Sequence, residues 1–152
     1  MDKVKDFSTR TKANLKLIRE EADKVKEGGE GKEAYEVTQL INSMLGLFVF
    51  PQQEFYNKIP KTPIKELEQA GWQIPKVDGN YPQAKDLKEL ARYLRNGISH
   101  FNLDFTSSGG HVNGLIIWNK DNGRIGKITW KATLTIKELE DIVSKFTDLL
   151  IK

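Results

Sequence analysis

One short run of the sequence, residues 94–102 (LRNGISHFN), combines an arginine, an amide and a histidine within an apparent amphipathic helix. Arginine stays charged at neutral pH and forks onto phosphate oxygens. Histidine changes its charge near neutral pH and exchanges protons readily. Arg95 can therefore hold a phosphate while His100, one of two histidines in the chain, removes a proton.

A helical wheel separates these polar residues from the apolar stripe of the same helix. At about 100° per residue the stripe lies within an arc of roughly 100° and comprises Leu87, Leu90, Ala91, Leu94, Ile98 and Phe101. The opposite side carries Arg92, Tyr93, Arg95, Asn96, Ser99 and His100. Tyr93, Asn96 and His100 share one row because they are three and four positions apart. A functional face and a merely solvated one explain this pattern equally well.

Helix geometry keeps Arg95 and His100 apart within one copy of the chain. Residues five apart diverge by about 140° and are about 7.5 Å apart along the axis. If this face packs against its twofold mate, two arginines and two histidines meet in one cleft at an isologous interface. Gly97, beside the stripe, would let another helix approach closely, although a tolerated helix glycine is the alternative.

The elements around this helix follow from periodicity and capping signals. The stripe from Phe7 to Val25 predicts a first helix ending near Gly28, and residues 32–50 predict a second. Thr62 is expected to cap a short helix that starts at Pro63 and stops before Gly71. Residues 72–80 are expected to form a connector, and the helix that carries Arg95 should begin near Pro82.

After this helix the apolar period changes from helical to strand-like. Strands are predicted at 103–106, 111–119 and 124–133, the last two joined by a turn at Asn122-Gly123. Thr135 and Glu138 form a capping box for a C-terminal helix. The predicted fold is mainly α: one domain, residues 1–152, is a helical bundle with a β-meander inserted at about 103–134.

Composition limits the function classes. The 152 residues contain no cysteine, which excludes a disulfide framework, cysteine-based zinc sites and thiol catalysis. The net charge of +3 permits RNA as a partner without arguing for it. Three of residues 1–5 are charged and no apolar segment follows them, and the apolar run 44–50 is too short to span a membrane. We therefore expect a cytoplasmic protein with no membrane partner.

The run Arg95-Asn96-Gly97-Ile98-Ser99-His100 resembles the signature of HEPN domains, an arginine followed by four to six residues and a histidine. Asn96 fills a place that is commonly polar in that family, and Ser99-His100 is similar to many members. Residues 45–52 (LGLFVFPQ) also resemble bacterial HEPN proteins in which an apolar run ends at proline. The likeness covers the helices and leaves out the β-meander.

The resemblance implies a homodimeric endoribonuclease that needs no metal or cofactor, of a toxin–antitoxin or antiphage kind, with its active site at the dimer interface. Arg95 and His100 would be catalytic, with Asn96 orienting the histidine or donating to the phosphate, and Tyr93 and Ser99 in support. An antitoxin partner is a further implication. In one subgroup of HEPN proteins, the residue two positions after the histidine is a tyrosine that becomes modified. This chain has Asn102 at that position instead. A non-catalytic HEPN dimerisation, interaction or nucleotide-binding module is the alternative.

Two further candidates lie in the β-meander. His111 beside the glycine-containing loop is either a second base or, as we favour, an ordinary loop histidine. Trp118 and Trp130, with Lys120, Arg124, Lys127 and Lys131 nearby, either stack bases or, in the favoured interpretation, pack against the bundle. The glycines of residues 27–31 follow a helix and are interpreted as a turn rather than a phosphate loop.

Overall fold

A computed structural model describes residues 3–29, 36–49, 55–109, 111–122 and 125–152 of the chain. The helices are α1 (Lys3–Lys26), α2 (Glu36–Met44), α3 (Ile64–Gln69), α4 (Leu87–Ser99) and α5 (Ile136–Ile151). A π-helical turn (Leu45–Val49) continues α2, and a 3-10 turn covers Tyr56–Lys58. The strands are β1 (Lys76–Val77), β2 (Leu103–Ser108), β3 (His111–Lys120) and β4 (Ile128–Thr135). The chain is thus mostly helical, with an antiparallel sheet before its C-terminal helix, as predicted.

The sheet has four strands in the order β1-β4-β3-β2. The prediction that residues 72–80 form only a connector was wrong in part, because Lys76 and Val77 pair with Thr133 and Ala132 of β4. The two-residue β1 lies far from the other strands in sequence and is too short to give a periodic signal. The strand predicted from Arg124 begins only at Ile128, and Gly123 and Arg124 lie outside the described residues.

The core lies between one face of the sheet and the helices. Alternation along β3 and β4 turns Leu115, Ile117, Trp130, Ala132 and Leu134 inward, and all are buried. The apolar stripes of α4 and α5 meet this face, and Met44 at the end of α2 and Leu47 of the π-helical turn belong to the same core. The predicted capping box of α5 is present, with Thr135 and Glu138 bonded reciprocally. None of the helices in the described ranges is long and apolar enough to cross a membrane.

Two predicted helix starts were wrong. The short helix begins at Ile64 after Pro63, without a side-chain cap from Thr62, although Gly71 follows its end with a φ of 84° as expected. Helix α4 starts at Leu87 rather than near Pro82, because the Asp86 side chain accepts a hydrogen bond from the Glu89 amide at 2.8 Å. Of the predicted second helix, residues 32–35 and Phe50 lie outside the described residues.

Candidate active site

Helix α4 ends at the candidate histidine. The amide of Phe101 bonds to Ile98 O and that of Asn102 to Gly97 O, the paired bonds of a Schellman motif. This motif needs a left-handed residue after the cap, and Phe101 takes that place with a φ of 53°. Phe101 was predicted in the core stripe but is 67% exposed, because the left-handed residue turns its side chain away from the helix's apolar face.

The guanidinium of Arg95 is held on two sides. Its Nε and Nη2 donate to Asn96 Oδ1 at 3.3 and 3.2 Å. Its Cζ lies 4.9 Å from the centroid of the Tyr56 ring, a cation–π distance, and the Lys88 amine lies equally close to that ring. Tyr56 was not predicted as a site residue. The only feature of the sequence that could have indicated it is an aromatic residue in the irregular segment after α2.

Asn96 connects α4 to the sheet. Its Nδ2 donates to Asn119 Oδ1 at 2.9 Å, and Asn119 Nδ2 donates to Thr129 Oγ1 at 2.7 Å. Asn119 is buried on β3, on the same face as Leu115 and Ile117. It was also missed by the sequence analysis, although it is a polar break in an apolar row.

His100 is the residue immediately after α4. Its backbone amide bonds to Asn96 O at 3.1 Å, and the residue is partly buried. Arg95 and His100 therefore both adjoin Asn96, the first through the side-chain amide and the second through the backbone carbonyl. Ser99 is exposed, and its hydroxyl donates to the same carbonyl at 3.3 Å.

Tyr93 packs against the sheet. Its ring stacks on the fully buried Trp130, with centroids 5.1 Å apart, which confirms the packing role predicted for that tryptophan. Burial, followed by the charge of Glu89, raises the pKa of the Tyr93 phenol, so it stays protonated at neutral pH. With Asn96 also bonded to β3, Tyr93 and Asn96 are both covered by the sheet, so the alternative of a merely solvated face was wrong for these two residues.

Gly97 permits a close approach, but not by a helix as predicted. A Cβ at this position would lie 2.5 Å from Cγ1 of Ile117 and 3.2 Å from Trp118 O. The approaching element is therefore β3. Trp118 is partly buried and lies on the opposite sheet face by alternation, so the packing against the bundle predicted for it was wrong. His111 opens β3 as predicted, opposite Ser108. The described residues include no group of three histidine, aspartate or glutamate residues placed to hold a metal ion.

The chain is a helical domain that carries a four-stranded antiparallel sheet. A model of the family described as HEPN pEK499 p136 matches residues 1–152, and the chain belongs to this HEPN family. No curated protein and no solved structure matches the chain at a significant level.

Proposed function

We propose that this HEPN protein is an endoribonuclease that cleaves RNA without a metal, at a site built from Arg95, Asn96 and His100. HEPN domains are typically ribonucleases, and the family match covers the whole chain. The observation that supports the proposal most is the held guanidinium of Arg95, at the end of the helix that His100 directly follows. A positively charged fork in a fixed position is suited to the charge that develops on a phosphate.

The proposed reaction uses groups that the RNA supplies. His100 takes the proton from a ribose 2′-hydroxyl, and the oxygen attacks the adjacent phosphorus. The bond from phosphorus to the 5′-oxygen breaks, and a second histidine gives that oxygen a proton. The products are a 2′,3′-cyclic phosphate and a 5′-hydroxyl, while Arg95 stabilises the negative charge on the pentavalent phosphorane.

The second histidine is proposed to be His100 of a twin chain. A HEPN homodimer with the site at its interface would supply an acid and a base of the same type from two copies. The polar end of α4 and the exposed Phe101 lie at the surface of the single chain, which leaves them free for such packing. The setting that we propose is a toxin–antitoxin or antiphage system in the cytoplasm, with an antitoxin as a further partner.

RNA cleavage in EDTA tests the proposal with two matched pairs of variants. Arg95→Ala should lose cleavage about 100-fold or more, as expected when a group that stabilises transition-state charge is removed. Arg92→Ala, on the same helix but ion-paired to Glu89 at 3.2 Å, should retain it. His100→Ala should be inactive, whereas His111→Ala removes the only other histidine and should stay active.

The outcomes separate the two functional classes. Cleavage that depends on Arg95 and His100 but not on Arg92 and His111 supports the enzyme. A folded wild type that leaves varied RNAs intact would contradict it and favour a non-catalytic HEPN module. Growth arrest on expression of wild type, but not of His100→Ala, would support the toxin setting, and equal tolerance of both would count against it.

A further inference from the structure

We infer that Asn119 of the sheet is a positioning residue that orients the catalytic arginine through Asn96. The inference rests on the proposed ribonuclease function for its kinetic consequences, but the geometry that supports it is independent of activity. Under this inference, the sheet that precedes α5 helps to position the site residues of α4.

The first support is the burial of Asn119. The buried residues of β3 that share its side of the strand, Leu115 and Ile117, are apolar and essentially inaccessible, and the β4 residues paired with them and with Asn119 are apolar as well. Asn119 is only 6% exposed among these residues. A buried amide is unfavourable unless hydrogen-bonded, and here both ends of the amide have partners.

The second support is that the chain of hydrogen bonds has one direction. Arginine has no acceptor, so Asn96 must present Oδ1 to Arg95 and turn Nδ2 towards β3. Asn119 must then present Oδ1 to Asn96 and Nδ2 to Thr129. The Thr129 hydroxyl also lies 3.5 Å from the backbone oxygen of Asn119, which directs its proton there and leaves a lone pair for Nδ2.

The third support is the close packing that brings the two amides together. Gly97 follows Asn96 directly, and its missing Cβ lets Ile117 approach α4. Ile117 and Asn119 point to the same side of β3 because they are two apart. The glycine thus brings β3 within hydrogen-bonding distance of α4 at the residue that holds the guanidinium.

The consequence is a defined loss when Asn119 is removed. In Asn119→Ala the amide of Asn96 loses its partner and can rotate, so it no longer presents a fixed acceptor to Arg95. Misplacing a catalytic group by about 1 Å costs up to ~100-fold in rate, and we expect kcat to fall roughly 10- to 100-fold with little change in KM. Thr129→Val, which removes only the last link, should give a smaller loss of the same kind.

A double-mutant cycle distinguishes positioning from structural support. If Asn119 acts through Asn96, the double variant Asn96→Ala/Asn119→Ala should be no slower than Asn96→Ala alone. The matched control is Asn113→Ala, which removes a similar bond, from Thr106 Oγ1 to Asn113 Oδ1 at 2.7 Å, at the other end of β3. Asn113→Ala should cleave RNA like the wild type.

An NMR measurement reads the same geometry without activity. In the wild type, the Nε–H of Arg95 and one amide proton of Asn96 should be shifted and slow to exchange with water, and both properties should disappear in Asn119→Ala and persist in Asn113→Ala. Additive rate losses together with an unchanged Arg95 signal would overturn the inference. A wild type that shows the signals but cleaves no RNA would instead overturn the proposed function and leave the positioning intact.

Discussion

At the scale of single residues, the site is defined by how firmly Arg95 is held. A free arginine on a helix surface samples many rotamers, and ordering it costs conformational entropy at each binding event. Here Oδ1 of the Asn96 side chain and the Tyr56 ring fix the guanidinium before any substrate binds. Such preorganisation favours stabilisation of the transition state, because no reorganisation is required when the charge develops.

Phe101 is the residue at which conformation and sequence disagree. A left-handed conformation costs a non-glycine residue about 1–2 kcal/mol, and glycine avoids this cost. Glycine also makes the unfolded chain more flexible, which lowers the free energy of unfolding by roughly 0.5–1 kcal/mol. Because Phe101 is 67% exposed, replacing it should forfeit little burial. Phe101→Gly is therefore expected to raise the free energy of unfolding by about 0.5–1 kcal/mol, measured by urea denaturation.

Phe101→Leu provides the control for this prediction. It removes the ring but keeps a Cβ at the left-handed position, so it should not be stabilising. If Phe101→Gly and Phe101→Leu both lower the free energy of unfolding by similar amounts, the ring makes contacts that are important to the folded protein. That result would contradict the argument from strain at Phe101.

At the scale of elements, the decisive contact is between α4 and β3 at Gly97. Gly97→Ala should normally stabilise a helix by about 1 kcal/mol. The new Cβ would meet the side chain of Ile117 at 2.5 Å, so we expect a net loss of about 1–3 kcal/mol from overpacking. Cleavage should fall as well, because a displaced β3 takes Asn119 away from Asn96.

The double variant Gly97→Ala/Ile117→Ala checks the cause of that loss. Alanine at 117 removes both Cγ1 and Cδ1, the two side-chain atoms that the new Cβ meets, so Gly97→Ala should cost less stability and less activity in the Ile117→Ala background than in the wild type, in thermal melts and cleavage assays. A Gly97→Ala protein that is as stable as wild type would show that β3 does not pack this tightly on α4.

The helices and the capping box of α5 could be predicted from the sequence because their signals are local. Periodicity located α1 and α4, and Arg95, Asn96 and His100 were proposed as site residues from their spacing along one helix. Neither Asn119 nor Tyr56 could be identified in this way, since each meets Arg95 or Asn96 only through tertiary packing. The two-residue β1 and the left-handed conformation of Phe101 were not predicted either, because the sheet and the Schellman motif override the local preferences of these residues.

At the scale of the whole molecule, the sheet and the helices both contribute side chains to the proposed site. The β-meander is outside the likeness that identified the HEPN signature, yet Asn119 of β3 bonds to Asn96 of the motif, and Thr129 of β4 bonds to Asn119. Variation in this sheet would therefore alter activity through the orientation of Arg95. A second copy of the chain is proposed to supply the other histidine, so activity should also depend on dimer formation.

The chemical nature of the product ends shows whether the 2′-hydroxyl attacks the phosphorus. Wild-type protein is incubated in EDTA with a pool of RNAs of varied sequence, and the fragments are analysed by mass spectrometry. Attack by the 2′-hydroxyl predicts 2′,3′-cyclic phosphates and 5′-hydroxyls, absent when His100→Ala replaces the wild type. Fragments with 3′-hydroxyl and 5′-phosphate ends, or no fragments from a folded protein, would contradict the account.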